Sequence, residues 1–183
     1  TAHAKKGRPA RIVAKMNSLC DPGIIAALYE ASAAGVKIQL IVRGICCLKV
    51  GIEGVSENIE VRSIVGNFLE HSRIFWFENN GADEVYMGSA DWMPRNLDRR
   101  VEILFPVLDD DAKESAKHIL EVELSDNTKA HILKSDGNYE KIDKRGKVLV
   151  NSQMQFCEEA VAAVPKQDHV YRERVFVPAE PAE

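Results

Sequence analysis

The fold is decided by residues 11–42, RIVAKMNSLCDPGIIAALYEASAAGVKIQLIV, which hold two apolar runs on either side of a helical segment. The first run, residues 11–16, begins with β-branched side chains and is typical of a strand. Asp21 followed by proline is a favourable N-cap, which predicts a helix over residues 23–34. Residues 36–42 are mostly apolar, as expected of a strand that is covered on both faces.

Strand, helix and strand in about 32 residues form a right-handed βαβ unit whose two strands are parallel. Ligands bind at the carboxyl ends of such strands in α/β sheets. Arg43 and Gly44 follow the second strand, while Lys15 and Asn17 end the first. We therefore predict that Arg43, Lys15 and Asn17 contact a ligand, with solvation at the protein surface as the alternative for each.

Beyond this unit the chain continues as further strands and helices. Two hairpins are predicted, from residues 72–77 with 85–89 and from residues 129–133 with 139–142. Apolar periodicity predicts amphipathic helices over residues 111–124 and 151–164. The remaining segments are predicted as a strand over residues 100–107 and one or two helical turns over residues 63–70. The expected fold class is α/β.

The chain has 183 residues, 45% apolar and 28% charged, a composition typical of a soluble globular protein. We expect one domain over residues 1–164 and an extended or disordered tail over residues 165–183, which hold three of the seven prolines. The sequence does not begin with Met and is expected to be a fragment of a longer chain. It contains no signal peptide pattern and no apolar run of about 18 residues. We expect a cytoplasmic location, with a peripheral position at the inner face of the membrane as the alternative.

Charge and cysteine content exclude several classes of protein. The chain has 24 Lys and Arg against 28 Asp and Glu, whereas a general nucleic-acid binder needs a basic face. Cys20, Cys46, Cys47 and Cys157 include no C-x-x-C pair, which argues against a zinc cage or a disulfide framework. We predict mostly buried reduced thiols and no metal site, with a reactive Cys46 or Cys47 as the alternative.

The most informative window for chemistry is residues 70–91. His71 and Arg73 are expected on one face of a strand, since side chains alternate with period 2. Glu78 comes at the following turn, and the hairpin is expected to bring Ser89 and Asp91 back beside His71 and Arg73. One edge of the sheet would then gather an imidazole, a guanidinium, a hydroxyl and two carboxyl groups.

Phosphoryl transfer can use this set of groups, because the protein mainly positions the anionic group and stabilises its charge. The rigid forks of Arg43 and Arg100 suit phosphate oxygens. A histidine such as His71 can exchange a proton near pH 7 or carry a phosphoryl group. The alternatives are a partly buried structural histidine and arginines in solvated loops.

The pattern of His71, Arg73 and Glu78, followed by Gly-Ser-Ala-Asp, resembles the phospholipase D superfamily signature His-x-Lys-x-x-x-x-Asp with Gly-Ser-x-Asn. Arg73, Glu78 and Asp91 depart from that signature, which argues against phosphodiester hydrolysis. Longer segments, among them LIVRGICCL and MGSADWMPRNLDRRVEILFPV, resemble the C-terminal catalytic domain of polyphosphate kinases. This resemblance covers residues 8–107 and continues more weakly to residue 149.

The resemblance implies a phospholipase D-like mixed sheet flanked by helices. It also implies reversible transfer of the terminal phosphate of ATP to inorganic polyphosphate, through a phosphohistidine in an upstream domain that this chain lacks. Mg²⁺ would be bound mainly by that absent domain. His71 matches a family histidine that assists transfer, and Arg43 and Arg100 match arginines that contact phosphates. Arg73, Glu78 and Ser89 would orient that histidine.

The partners implied by the resemblance are ATP or ADP, inorganic polyphosphate and the rest of the kinase chain, with a homo-oligomer expected for the full-length protein and no nucleic acid. The isolated fragment is expected to catalyse no turnover. Two alternatives stay open. One is a non-catalytic module that binds ATP or polyphosphate. The other is a phosphodiesterase of the phospholipase D type, in which a homodimer supplies the second histidine motif.

Overall fold

A computed structural model describes residues 1–164, in which eight strands form one mixed sheet. The strands are β1 (Ala10–Met16), β2 (Lys37–Val42), β3 (Ile59–Ile64), β4 (Ile74–Asn79), β5 (Glu84–Gly88), β6 (Leu104–Pro106), β7 (Ala130–Leu133) and β8 (Tyr139–Lys141). The helices are α1 (Pro22–Ala33), α2 (Pro94–Arg99), α3 (Asp110–Ser125) and α4 (Ser152–Ala163), with a short 3₁₀ turn at Ala4–Lys6. The predicted tail, residues 165–183, lies outside the described residues.

The strands follow the order β6-β5-β4-β1-β2-β3-β7-β8 across the sheet. Strand β1 runs parallel to β2, and β2 parallel to β3, while the other neighbouring pairs are antiparallel. The predicted βαβ unit is confirmed. The carboxyl ends of β1 and β2 therefore lie side by side, as the ligand-site prediction requires.

The capping and turn residues identified in the sequence adopt the conformations expected of them. The Asp21 side chain accepts a hydrogen bond of 2.8 Å from the backbone N–H of Ile24, which caps α1. Beyond the end of α1, Gly35 has a φ of 89°, a conformation that glycine adopts without strain. Asn80 and Gly81, with φ angles of 52° and 89°, form the predicted turn between β4 and β5.

Helices cover the sheet on both faces, and each face has its own apolar core. On one face, Leu28 and Ala31 of α1 belong to a cluster that includes Met16 and Leu40. On the other, Ala116 and Leu120 of α3 belong to a cluster with Val13, Ile41 and Trp76. Neighbouring residues of β1 and β2 contribute to opposite clusters, because side chains alternate along a strand.

Three predicted elements were wrong or misplaced. Residues 63–70, predicted as helical turns, are the end of β3 and an irregular loop. The sequence did not reveal β3, because the buried Arg62 interrupts its apolar pattern. The predicted strand over residues 100–107 is only the short β6, and α2 precedes it. Strand β4 begins at Ile74, two residues later than predicted, so His71 and Arg73 lie in the loop before it.

The cysteines are free thiols, but the prediction that most are buried was wrong. Cys47 is exposed and the other three are half-buried. Among residues 1–164, each helix is too short or too polar to cross a bilayer.

A buried charged cluster joins β1 to α3 beneath the sheet. Lys15 is 4% exposed, and its Nζ lies 3.4 Å from Glu70 and 3.5 Å from Glu123. Burial, with the nearby Glu70, raises the pKa of Glu123 to about 9. Burial alone would raise the pKa of Glu70, but hydrogen bonds from Glu123 and Gln153 and the charge of Lys15 bring it below its usual value. At neutral pH the two carboxyl groups hold one proton and one negative charge, which Lys15 balances.

The polar end of α3 is held by the buried carboxylate of Asp126. Its Oδ1 accepts hydrogen bonds of 2.9 and 2.8 Å from the backbone of Thr128 and Lys129. Its Oδ2 accepts bonds of 2.8 Å from both the backbone N–H and the hydroxyl of Ser152, at the start of α4. Asp126 therefore ties the end of α3 to the start of α4.

Replacement of this carboxylate should be costly. We expect Asp126→Ala to lower the free energy of unfolding by about 3 kcal/mol, because it leaves several buried donors without partners. Asp111→Ala, in the exposed first turn of α3, is the matched control and should cost less than about 1 kcal/mol. Urea denaturation followed by circular dichroism measures both; equal losses would contradict the role assigned to Asp126.

The proton on Glu123 should make stability depend on pH. Between the ordinary pKa of a glutamate and about 9, the folded state keeps a proton that the unfolded state releases. Wild-type stability therefore falls as pH rises through this window. Glu123→Gln removes this dependence. Relative to the wild type, we expect the thermal midpoint of the variant to rise by roughly 10 °C between pH 6 and pH 9.

Glu121→Gln is the control for this pH series, because Glu121 is exposed on the same helix. Its midpoint should follow the wild type at every pH. A difference between Glu123→Gln and wild type that stays constant from pH 6 to pH 9 would show that Glu123 is ionised in the folded protein.

Candidate functional site

Three loops meet at the carboxyl ends of the parallel strands. Leu19, after β1, forms isolated bridges with Cys46, after β2, and with Trp92, after β5. The backbone N–H of Leu19 donates to the carbonyl of Ile45 at 2.9 Å, and that of Cys20 donates to the carbonyl of Trp92 at 2.8 Å. The chain segments that carry Asn17, Arg43 and Asp91 are therefore held together by backbone hydrogen bonds.

Asn17 lies at the centre of these loops and joins two residues predicted separately. Its Oδ1 accepts a hydrogen bond of 3.0 Å from Nε of Arg43. Its backbone N–H donates to Oδ1 of Asp91 at 2.7 Å. Both Asn17 and Asp91 are 7% exposed, so these polar groups depend on each other rather than on water.

Asp91 continues the network to His71 through Arg73. Nε and Nη2 of Arg73 each donate to one carboxylate oxygen of Asp91, both at 3.1 Å. Burial alone would raise the pKa of Asp91, but the hydrogen bonds from Arg73 and Asn17 outweigh it and lower the pKa below its usual value. Nη1 of Arg73 donates to the carbonyl of His71 at 2.8 Å.

The imidazole of His71 is oriented by the same arginine. Nη2 of Arg73 lies 3.3 Å from Nε2 of His71. Because a guanidinium can only donate, this contact places the lone pair on Nε2 and the proton on Nδ1. His71 itself is exposed, and among the described residues its Nδ1 makes no hydrogen bond to protein.

Arg100 and Ser89 belong to a second group, centred on Glu102. Nε of Arg100 lies 3.2 Å from Oε1 of Glu102, and the hydroxyl of Ser89 donates to the other carboxylate oxygen. Nδ2 of Asn96 donates to Oε1 of Glu102 at 2.6 Å. The Ser89 and Asn96 hydrogen bonds, with the charges of Arg100 and Arg73, lower the pKa of Glu102. Sequence reasoning missed Glu102, although its period-2 spacing from Arg100 was a usable signal.

The second group borders a cavity of about 220 Å³. Arg100 lines it together with Phe75 and Trp92, whose rings stack with centroids 5.0 Å apart. Neither Arg43 nor His71 lines this cavity. The two groups are connected through the loop segment 89–92, in which Asp91 binds Arg73 and Ser89 binds Glu102.

Glu78 does not lie with the other predicted site residues. It lies within β4 opposite Arg11 at the beginning of β1, whereas Lys15 at the other end of β1 is opposite Ile74. Four residues of strand separate Ile74 from Glu78, which is about 13 Å. The later start of β4 puts Glu78 on the strand itself and away from His71.

Lys15, which was predicted to contact a ligand, is buried instead of lying at the surface of the site. Its side chain is engaged in the buried charged cluster with Glu70 and Glu123. Being 4% exposed, it is not solvated at the surface either.

Two glycines permit the close approach of the loops that form the site. A Cβ on Gly44 would lie 2.9 Å from the carbonyl oxygen of Asn17, and one on Gly88 would lie 2.6 Å from that of Ile103. Real Cβ atoms do not approach backbone oxygens so closely. The glycines that follow Arg43 and precede Ser89 are therefore required by packing.

The site offers cationic donors and one imidazole to an anion. Within residues 1–164, no three His, Cys, Asp or Glu side chains are arranged to hold a metal ion. The two carboxylates nearest the site, Asp91 and Glu102, are already engaged by arginines. This donor set suits an anion with several oxygens, such as a phosphate chain.

Comparison with known proteins agrees with this chemistry. Residues 1–153 match the family model for polyphosphate kinase C-terminal domain 2. The polyphosphate kinase of Lactiplantibacillus plantarum is 55% identical over 92% of this chain and 23% of its own length. That of Pseudomonas aeruginosa is 52% identical over 89% of this chain and 24% of its own length. The chain thus spans about a quarter of the length of these curated relatives.

Solved structures show the same relationship. The crystal structure of polyphosphate kinase from Porphyromonas gingivalis has a TM-score of 0.84 and 42% identity, covering 88% of this chain and 25% of that one. NucT from Helicobacter pylori, with a TM-score of 0.51 and 15% identity over 66% of this chain and 82% of that one, shares the fold alone. The phospholipase D-like fold is confirmed, and the chain belongs to the polyphosphate kinase family, with residues 1–153 corresponding to C-terminal domain 2.

Proposed function

We propose that this chain forms one wall of the active site of an ATP–polyphosphate phosphotransferase. The observation that carries the proposal is the continuous hydrogen-bond network from Arg43 through Asn17, Asp91 and Arg73 to His71. It presents a guanidinium and an imidazole at the carboxyl ends of parallel strands, where ligands bind in α/β sheets. In the proposed enzyme, a histidine elsewhere in a longer polypeptide would carry the phosphoryl group, and this chain would supply the groups that bind and stabilise it.

Two arginines are anchored in the manner of phosphate clamps. Arg43 is held through Nε by Asn17, and Arg100 through Nε by Glu102. Among residues 1–164, the terminal nitrogens of both make no hydrogen bond to protein. Those nitrogens can donate in pairs to phosphate oxygens, and the Nε anchor reduces the side-chain entropy lost when they do.

Arg73 has a different role, since Nε, Nη1 and Nη2 all contact Asp91 or His71. It orients His71 rather than binding substrate. With Nε2 of His71 facing Arg73, the Nδ1–H donates a hydrogen bond to an oxygen of the phosphoryl group in transfer. This supports charge stabilisation as the role of His71, a contribution that is largest for charge that develops in the transition state.

The remaining parts of the proposal concern the rest of the enzyme. Mg²⁺, which would neutralise phosphate charge, would be held by other parts of the polypeptide, since Asp91 and Glu102 are engaged by arginines. ATP or ADP and polyphosphate are the proposed substrates, in the cytoplasm, where ATP is available. A homo-oligomeric full-length enzyme and an inactive isolated fragment remain predictions from the sequence.

The fold shared with phospholipase D-type nucleases does not favour phosphodiester hydrolysis. Arg73, which takes the place of the lysine in that signature, already directs four of its five N–H donors to Asp91 and His71. NucT and the phospholipase D family member NUC from Salmonella typhimurium match at 15–16% identity, which shows the fold alone.

The proposal is tested by His71→Ala and Arg43→Ala in the full-length kinase that carries this sequence. Each should lower kcat/KM for ATP-dependent polyphosphate synthesis by about 100-fold or more, because each removes a group that stabilises transferred charge. Polyphosphate formed from radiolabelled ATP is the measurement.

Matched controls exist on the same chain. His118, which contacts Glu159 on the surface, and Arg145, which pairs with Asp143 and is 91% exposed, lie outside the network. His118→Ala and Arg145→Ala should synthesise polyphosphate at the wild-type rate. Full synthesis by both His71→Ala and Arg43→Ala would reject the proposed function.

A further inference from the structure

The loop that carries His71 has few anchors of its own. Residues 65–73 contain no regular secondary structure. Val65, Phe68 and Leu69 are 68%, 56% and 72% exposed, so apolar burial does not hold the loop in place. The position of the imidazole must therefore depend on polar contacts.

On the side that follows His71, the contact is the one already described, in which Arg73 binds Asp91. On the side that precedes it, the contact comes from Gln153 in α4. Nε2 of Gln153 donates to the carbonyl of Phe68 at 2.9 Å and to Oε1 of Glu70 at 2.7 Å.

The other end of the same amide also faces the loop. Oε1 of Gln153 accepts a hydrogen bond of 3.0 Å from the backbone N–H of Phe68. Gln153 is 5% exposed, and its three hydrogen bonds to the loop replace those it would make with water. The amide thus binds the Phe68 backbone as a neighbouring strand would, and adds a bond to the residue directly before His71.

The loop is shaped to accept this side chain. A Cβ on Gly66 would lie 2.2 Å from Oε1 of Gln153, closer than any side chain tolerates. Glycine at this position lets the loop backbone pack directly on the amide. Below it, Glu70 is held by Lys15, and the protonated Glu123 shares the same cluster.

We propose that Gln153 is a positioning residue for His71, acting from α4 through the backbone of Phe68 and the carboxylate of Glu70. This inference rests on the proposed function, in which His71 stabilises the transferred phosphoryl group. Arg43 is held by Asn17 on separate loops and does not depend on Gln153. Loss of the contact should therefore impair the chemical step more than the binding of ATP.

The test is Gln153→Glu in the full-length kinase. An ionised carboxylate at this position cannot donate to Phe68 or Glu70 and faces the negative charge of Glu70. At pH 8 we expect kcat to fall about tenfold or more while KM for ATP changes by less than about threefold.

A pH series separates positioning from general damage. Glu70 contacts residue 153 directly and Cys157 lines the same cavity, while Lys15 and Glu123 lie behind Glu70 in the charged cluster. A protonated carboxyl at residue 153 can again donate a hydrogen bond, and the adjacent Glu70 favours its protonation. The ratio of variant to wild-type kcat should therefore rise as pH falls from 8 to 6.

Two further variants complete the design. Gln155→Glu makes the same change two residues along α4, where the side-chain amide donates to Glu159 and makes no hydrogen bond to the His71 loop, and should keep wild-type kcat. Gly66→Ala disturbs the contact from the loop side and should lower kcat with KM preserved. Gly66→Ala also tests the proposal if Gln153→Glu fails to fold, and thermal denaturation shows whether Gln153→Glu is folded.

Wild-type kcat in both Gln153→Glu and Gly66→Ala would overturn the inference, as would a loss that appears only in KM. A kcat loss in Gln153→Glu that is constant from pH 8 to pH 6 would also overturn it, because it would indicate general damage. His71→Ala in the same assay separates the two proposals. If that variant is impaired while the Gln153 and Gly66 variants are not, only the positioning role fails; if it is unimpaired, the proposed function fails.

Discussion

Asp91 is a carboxylate with little access to water, and the loops after β1 and β5 meet because this charge needs partners. The backbone of Asn17 supplies one hydrogen bond and the fork of Arg73 supplies two. A buried carboxylate that lost these partners would destabilise the protein by several kcal/mol, so neither loop can move without the other. The positions of Arg43 and His71 follow, since each is bound to one of the groups that Asp91 holds.

The three arginines of the site show how one residue type serves two purposes. Arg73 uses all its nitrogens on the protein and is a structural support, while Arg43 and Arg100 are bound at Nε. An arginine anchored in this way keeps a planar pair of donors at a defined place. The position of its charge is then fixed before an anion binds. Such preorganisation allows the arginine to stabilise the anion without a rearrangement of the protein.

The last described helix, α4, also supports the site, although it is far from the other site residues in the sequence. Asp126 holds the first turn of α4 through Ser152, and the next residue, Gln153, reaches the loop before His71. A rigid helix terminus is thus used to position an exposed loop that has no apolar anchors. Such support from a second element is what a loop-borne side chain needs to keep a reactive geometry.

The amino-acid sequence alone determined the βαβ unit of residues 11–42, because strand propensity and the cap at Asp21 act within a few residues. The identity of the side chains suited to phosphate was also readable from the chain. Glu78 and Lys15 show the limit of such reading. Alternation tells which residues share a face of a strand, but it does not tell how far along the strand the ligand edge lies, as Glu78 shows, or which face turns toward the ligand, as Lys15 shows. The contact between Gln153 and the His71 loop joins residues more than 80 positions apart. Only the tertiary structure decided which polar groups meet, because a hydrogen bond depends on ångström distances that packing of the whole sheet and its helices sets.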